Sequence, residues 1–461
     1  MMLKSFRAII VFMVGICVSV GPVNAQGERF ERRPLPSPRS IVVGEAAGNA
    51  DTLEEALRSV GGRGEVVVRP KTIGSKLHHF EETIYVDRHL SIFGDGPSKV
   101  AITTNDKCFV VRGGVELRLI NIQIVAQGFG NAPCIVIEAG TVTLDNVEIR
   151  MGGDRTASAI EVQKGGFLRA PYGDAEADTA ESGTPTVYQN FIRGASRGAA
   201  GVVVHKDASL IFSQPTKIEG FTKALDLMGS AEMFQVALSG SATAVSLHGG
   251  AYLEASDSHF MSRFSNAIEI SGNNEAALEQ VHVGGNVLFN SGSAGSFTAF
   301  NNTEFRGSIV TEGDVSSDIT LEQSRLFAGG GFDAKGNYQA DNGIELGQNF
   351  AGTLKINEML IDGANYGISL PGTLKVNAVF IQELSFSNSY KAGVRLDDNV
   401  APSAIRKIEI TSSQGEQIKR PVVISKDSAL CQSKDELQNR VFVRWIRSKL
   451  PRRVCVKPKD L

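Results

Sequence analysis

Four residues that could transfer protons or hold an anion recur at near-constant spacing: His259, His282, Glu304 and Arg325, separated by 23, 22 and 21 residues. An imidazole titrates near neutral pH and serves as general acid or base, a carboxylate can partner it, and a guanidinium fork suits a uronate carboxylate. Asp257, two residues before His259, stands where it could orient the ring. The same four side chains are also what any outward row of a repeating fold carries, since such rows are polar by default. A metal is the third option. It requires residues from separate turns to converge, which flat stacking disfavours, so neither metal nor cofactor is expected. Calcium would need a ligand spacing that the chain does not show.

Residues 21 to 23 positions apart form one site only if the chain returns to the same place each time. Two interleaved patterns indicate that it does. A small residue followed by apolar, any, apolar opens at Cys108, Cys134, Ala159, Gly201, Ala224, Ala244 and Ala267, and again at Gly343, Gly367, Gly393 and Pro421. Between these copies runs a second pattern centred on a polar residue: Asn121, Asn146, Gln235, Asp257, Gln280, Asn302, Gln323, Glu358 and Glu383. From Gln235 to Gln323 it advances by 22, 23, 22 and 21 residues. Short alternating strands repeated at this period are the mark of a solenoid, with apolar members filling the column and intervening residues facing water. The polar row is expected to be structural, bonding from turn to turn and to the bend backbone. Leucine-rich repeats would need a Leu framework that is missing, and propeller blades about twice the period. The gap from 159 to 201 is assigned to an inserted loop around Ala170–Thr186. The gap from 267 to 343 is assigned to copies whose pattern is obscured.

This organisation resembles the right-handed parallel β-helix of the pectin-lyase-like superfamily over roughly Thr52 to Ile424. The opening DTLEEALRSVGGRGEVVVRP, followed by ETIYVDRHLSIFGDGPSKVAIT, looks like that superfamily's capping helix, first strand and "I.GDGPSKV.I" turn. The resemblance implies an all-β, single-chain right-handed solenoid and an association with polysaccharides, on which such families act as lyases, hydrolases, esterases or epimerases. It does not extend to their catalytic signatures. The paired-Asp and G-H-G motifs, Q-D-T, D-F-I-F-G, R-x-P-x-x-R and D-P-H are all absent, so no catalytic residue is carried over. Cys108 and Cys134 then fall in one register of adjacent turns, either bridged or simply stacked as buried small residues ~4.8 Å apart.

The two ends need covers against edge pairing. Asp51 with Glu54 reads as the N-cap of a short helix, and SKDELQNRVFVRWIRSKL as an amphipathic capping helix with Ser433 and Glu436 as its capping box and Leu437, Val441 and Trp445 on one face. Cys431 and Cys455 bracket that segment and are expected to bridge. At the other terminus, Lys4 and Arg7, an apolar run from Ala8 to Val20 and V-N-A before Gln26 read as a signal peptide cleaved after Ala25. The expected organisation is 1–25 signal peptide, 26–50 linker, 51–424 β-helix and 425–461 basic helical cap. The location is then the periplasm or the exterior, with no transmembrane segment after cleavage. Residues 402–461 carry 14 Lys+Arg against 6 Asp+Glu, while the whole chain is −3, so a basic tail offsets an acidic solenoid. The near-neutral total argues against nucleic acid.

Two further groups read as structural. His205 and His248 share a register with Met228 between them, and Asp174, Glu176, Asp178 and Glu181 sit in a polar insertion. The function expected is that of an exported, monomeric β-helix that binds an extended, acidic polysaccharide as a non-catalytic scaffold or export accessory. The alternative is a lyase, hydrolase or epimerase using the His/Glu/Arg row. A row inside a walled groove favours the enzyme, and a flat open face favours the binder.

Overall fold

The computed structural model describes residues 40–43, 50–60, 63–69, 455–456 and 78–445, the last apart from 81, 104–105, 128–129, 153–154, 172–188, 333–337, 373, 389–390, 398, 413–421 and 426–427. The chain divides into Met1–Pro38 and Arg39–Leu461, and every described residue belongs to the second unit. The expected signal peptide and the acidic insertion lie outside the described residues.

Each turn carries three strand stretches, and each stretch pairs only with its counterparts one turn before and after. Thirty-five strands thereby join into one continuous sheet wound as a right-handed parallel β-helix of about 12 turns. Every pairing in it is parallel, because the chain always comes back in the same direction. The interior is apolar by strand alternation. One inward position runs from Phe109 through Ile135, Ile160, Val202 and Ile268 to Val422, each fully buried and in register with the next copy of the pattern. Phe289, Phe297 and Phe305 fill the middle of the column as neighbouring rings, with centroids 5.6 and 6.4 Å apart.

The two gaps in the repeat resolve differently. Ile160 pairs directly with Val202, so 159 to 201 is one turn carrying an insertion. Between 267 and 343 two turns intervene, at Val287 and Ile309. Their opening residues are Asn286 and Ser308; the sequence pattern is broken in one by Asn286 and in the other by Thr311 in place of the second apolar residue, and the Asn286 Oδ1 accepts the Ser308 N–H at 2.9 Å. The expected GDGPSKV turn is a register break between Phe93 and Ser98 within the strand His89–Thr103.

All nine residues of the polar row have positive φ, between 48° and 66°. Each forms the corner between the first and second strand of its own turn. In the strand Val115–Gln127, for example, Asn121 divides the stretch that pairs with Gly140–Asp145 from the stretch that pairs with Glu148–Met151. A left-handed residue bends the chain within a single position, at about 1–2 kcal/mol for a residue with a Cβ. Ladder bonds offset part of this, with Asn146 donating to Asn121 at 2.8 Å and Gln323 to Glu358 at 3.0 Å. Backbone groups freed at the corner are taken up by buried hydroxyls just beyond it: Ser258 Oγ donates to the Ser256 carbonyl at 2.7 Å, and Ser324 Oγ to the Glu322 carbonyl at 2.9 Å.

The ends correct several expectations. The first helix spans Leu53–Ser59 and is capped by Thr52, whose hydroxyl accepts from the Glu55 N–H at 3.1 Å, while Glu55 reaches back to the Asp51 N–H at 3.0 Å. The capping box is therefore shifted by one from Asp51 and Glu54, because it is Thr52 that holds the extended φ a cap requires. The sheet begins before residue 51, since Ser40–Val43, expected to be linker, pairs in parallel with Glu65–Val68. At the far end the helix covers only Lys434–Arg440. Val441–Trp445, expected to continue it, is a strand on Ile408–Ser412. Its β-branched and aromatic residues favour a strand, and the open sheet edge supplies the partner. Cys431 and Cys455 are bonded, with Cα atoms 5.9 Å apart. Cys108 and Cys134 are separate, fully buried thiols, which corrects the bridged alternative. In-register parallel neighbours aim their side chains the same way, holding Cβ atoms near ~4.8 Å, wider than the ~3.8 Å of a disulfide.

The corner geometry makes a measurable claim. Gln235→Gly removes a Cβ from a left-handed position and should raise stability by about 0.5–1 kcal/mol after the extra entropy of glycine. Gln235→Val should lower it by at least as much. Urea unfolding midpoints of the two variants, moving in opposite directions, check this.

Candidate functional site

The residues of the proton-transfer row are brought together as the spacing required. His259 is in register with His282, His282 with Glu304, and Glu304 with Arg325. They lie two residues beyond the left-handed corner, on the outer face of the second strand of each turn. The row continues the same register from Lys217 and Ala237 on one side to Leu360 and Ser385 on the other.

Within the row, the His259 and His282 rings meet edge to face, with centroids 5.3 Å apart and an interplanar angle of 78°. His282 Nδ1 lies 3.7 Å from a Glu304 carboxylate oxygen, and Arg306 Nε donates to that same oxygen at 2.6 Å. Partial burial and the neighbouring His282 push the His259 pKa below its ordinary value. Asp257 occupies a corner at φ 48° and pairs through its backbone with Glu279, and no hydrogen bond joins it to His259. Its carboxyl is pushed up by partial burial and by the charge of Glu279.

His205 and His248 each serve a carboxylate on an earlier turn. His205 Nε2 lies 2.8 Å from Glu161, and His248 Nε2 lies 2.7 Å from Asp226 and 3.2 Å from the Ser246 hydroxyl. These are lateral ties between turns, as the structural reading expected.

A groove of 810 Å³ runs along the corners on the C-terminal side of the row. Its walls include the corner residues Gln280, Asn302, Gln323, Glu358 and Glu383, together with Arg325. His259, His282 and Glu304 do not line it. The register places Glu358 beside Glu383, since Asn357 pairs with Gln382 and Met359 with Leu384. Two carboxylates in adjacent turns, with Glu409 also on the wall, make this stretch acidic where earlier corners carry mainly amides. In the sequence the whole polar row reads as structural, and nothing there sets these residues apart as a site beyond the change from Asn, Gln and Asp to Glu at the last two corners.

The paired imidazoles yield a titration. The His259 ring should protonate below the ordinary ~6.5 of a free imidazole, and His282→Ala should move its midpoint upward, as followed by NMR of the ring protons. Because the folded value is the lower one, the unfolded chain takes up this proton first. The site's contribution to stability is full above the unfolded value and is lost as pH falls through the folded one.

No protein-family model matches the chain, and no curated protein matches it. Among solved structures it is similar to ORF18 of Geobacillus virus E2, at 9% identity and a TM-score of 0.36, over 68% of this chain and 62% of that one. It is also similar to the catalytic domain of a GH87 alpha-1,3-glucanase in complex with nigerose, at 12% identity and a TM-score of 0.33, over 92% and 70% of the two chains. A third similarity is to the Agl-KA catalytic domain, at 12% identity and a TM-score of 0.31, over 85% and 69%. The chain thus spans less than two thirds of the length of the phage protein.

Proposed function

We propose that this protein is an exported binding protein for an extended polysaccharide, which lies along the corner groove without being turned over. The observation that carries the reading is the groove wall itself, in which Gln280, Asn302, Gln323, Glu358 and Glu383 offer one hydrogen-bonding side chain per turn. A row repeating at the ~4.8 Å spacing of paired strands suits a linear polymer of repeating hydroxyl-rich units better than a compact molecule. The imidazoles stand outside that wall, which separates the candidate proton-transfer groups from the place where a polymer would lie.

The composition of the wall refines the ligand. Glu358 and Glu383 would repel a polyuronate, while Glu409 is already paired with Lys407, and carboxylates accept strongly from sugar hydroxyls or amines. A neutral or amino-sugar polymer therefore fits better than the acidic one that the sequence suggested. Export is supported by the basic and apolar N-terminal stretch up to Ala25 and by the Cys431–Cys455 bond, which suits an oxidising compartment.

The test is a binding panel of neutral glucans, chitosan and polyuronates, by calorimetry or affinity electrophoresis, with products assayed in parallel. Binding to a neutral or amino polymer should fall roughly 10-fold or more in Glu358→Gln and Arg325→Ala, as expected for losing a charged hydrogen-bond partner. Glu383→Gln should weaken binding yet leave the fold as stable or slightly more so, since it relieves repulsion from Glu358. Release of reducing ends or unsaturated products would replace the binding reading with the catalytic one. Absence of binding to every polymer would end both.

A further inference from the structure

The outer face of the row carries a residue that neither the fold nor the proposed glycan groove uses. Met261 is 46% exposed, one of few large apolar side chains in water among the described residues. It follows His259 by two positions and so shares its outward face. Its register partner on the next turn is Gly284, two residues after His282. Gly284 is not held by a left-handed backbone, and its glycine answers space instead. A Cβ there would come within 2.3 Å of the Met261 sulfur and 2.5 Å of its terminal methyl. The thioether therefore crosses from the turn of His259 toward the turn of His282, over a strand position emptied for it. Glycine in mid-strand commonly marks such a close approach.

Three donors collect in this patch: two imidazoles with ring centroids 5.3 Å apart, and one thioether lying across the same pair of turns. Among the described residues no group of three His, Cys, Asp or Glu side chains could hold a metal, but here the third donor is a sulfur outside that set. We propose that His259, His282 and Met261 form a surface site for copper in its monovalent state, with Glu304 holding His282 in place.

Several observations point to this ion rather than to zinc or a hard cation. Thioether and imidazole donors select copper, and thioether favours Cu(I). The Glu304 carboxylate stands 3.7 Å from His282 Nδ1, so Nε2 is the ring nitrogen left open to a metal. Since Arg306 already answers the Glu304 charge, the donor set is close to neutral overall, which suits a monovalent soft ion. The edge-to-face rings and the side chain that spans two turns reduce the flat stacking that argued against convergence.

The experiment is anaerobic titration of the purified chain with Cu(I) against a chromophoric chelator, and separately with Zn(II). One equivalent of Cu(I) per chain is expected, with affinity lowered at least 100-fold in His282→Ala and at least 10-fold in Met261→Leu and Glu304→Gln. Met261→Leu should leave the weaker Zn(II) affinity within about 2-fold, a signature that a merely structural methionine would not produce. Circular dichroism identical to the parent shows that these outward substitutions leave the solenoid intact. Lack of stoichiometric Cu(I) binding would overturn the site. So would binding that survives His282→Ala and Met261→Leu but is lost in Cys108→Ser, because it would assign the ion to the buried thiols. Neither result bears on glycan binding, which rests on the corner groove.

Discussion

The structure depends on one backbone constraint, a residue in the left-handed conformation at the corner between the first and second strand of a turn. Nine polar residues from Asn121 to Glu383 adopt it. Each corner carries a conformational cost near 1 kcal/mol, offset by ladder bonds such as Asn146 to Asn121 and by hydroxyls such as Ser258 that take up the freed backbone groups. Where the bend occurs at a single residue, the next strand starts at the same place as in the neighbouring turn. Register is then inherited from turn to turn, and every outward position becomes a column.

Two kinds of surface follow from that inheritance. At the corner itself, side chains of successive turns form the wall of the groove. Two residues later, the same register lines up Lys217, His259, His282, Glu304 and Arg325. The interior constrains neither, since its fully buried column from Phe109 to Val422 answers only to size and apolarity. Outward columns can therefore differ along one molecule. On earlier turns they hold lateral ion pairs, such as Arg193 between Glu148 and Glu219, and on later turns the imidazole pair and the acidic groove.

The ends follow a different rule, because a strand at the end of a stack has an unpaired edge. The protein uses sequence already suited to strands there: Ser40–Val43 beneath the first turn and Val441–Trp445 above the last. The helices Leu53–Ser59 and Lys434–Arg440 lie near these strands in the sequence, and the Cys431–Cys455 bond ties the short helix Ala429–Gln432 to the closing segment. Helical spacing of Leu437, Val441 and Trp445 was outweighed by a pairing partner that only the assembled sheet provides.

Much of this was legible from the sequence. Period, inward apolar positions and the polar corner row are local patterns, and each turn repeats them, so the solenoid and the in-register His259, His282, Glu304 and Arg325 row could be read directly. Two turns were hidden because Asn286 replaces the small residue in one and Thr311 the second apolar residue in the other, the asparagine bonding to the next turn. Other features depended on contacts between turns, which spacing does not encode. Part of the corner row proved to be a groove wall, Cys108 and Cys134 stayed apart, and Met261 crossed onto Gly284. Repetition along the chain determines which residues become neighbours. The direction each side chain takes among its neighbours is set by space and charge that exist only after the turns have stacked.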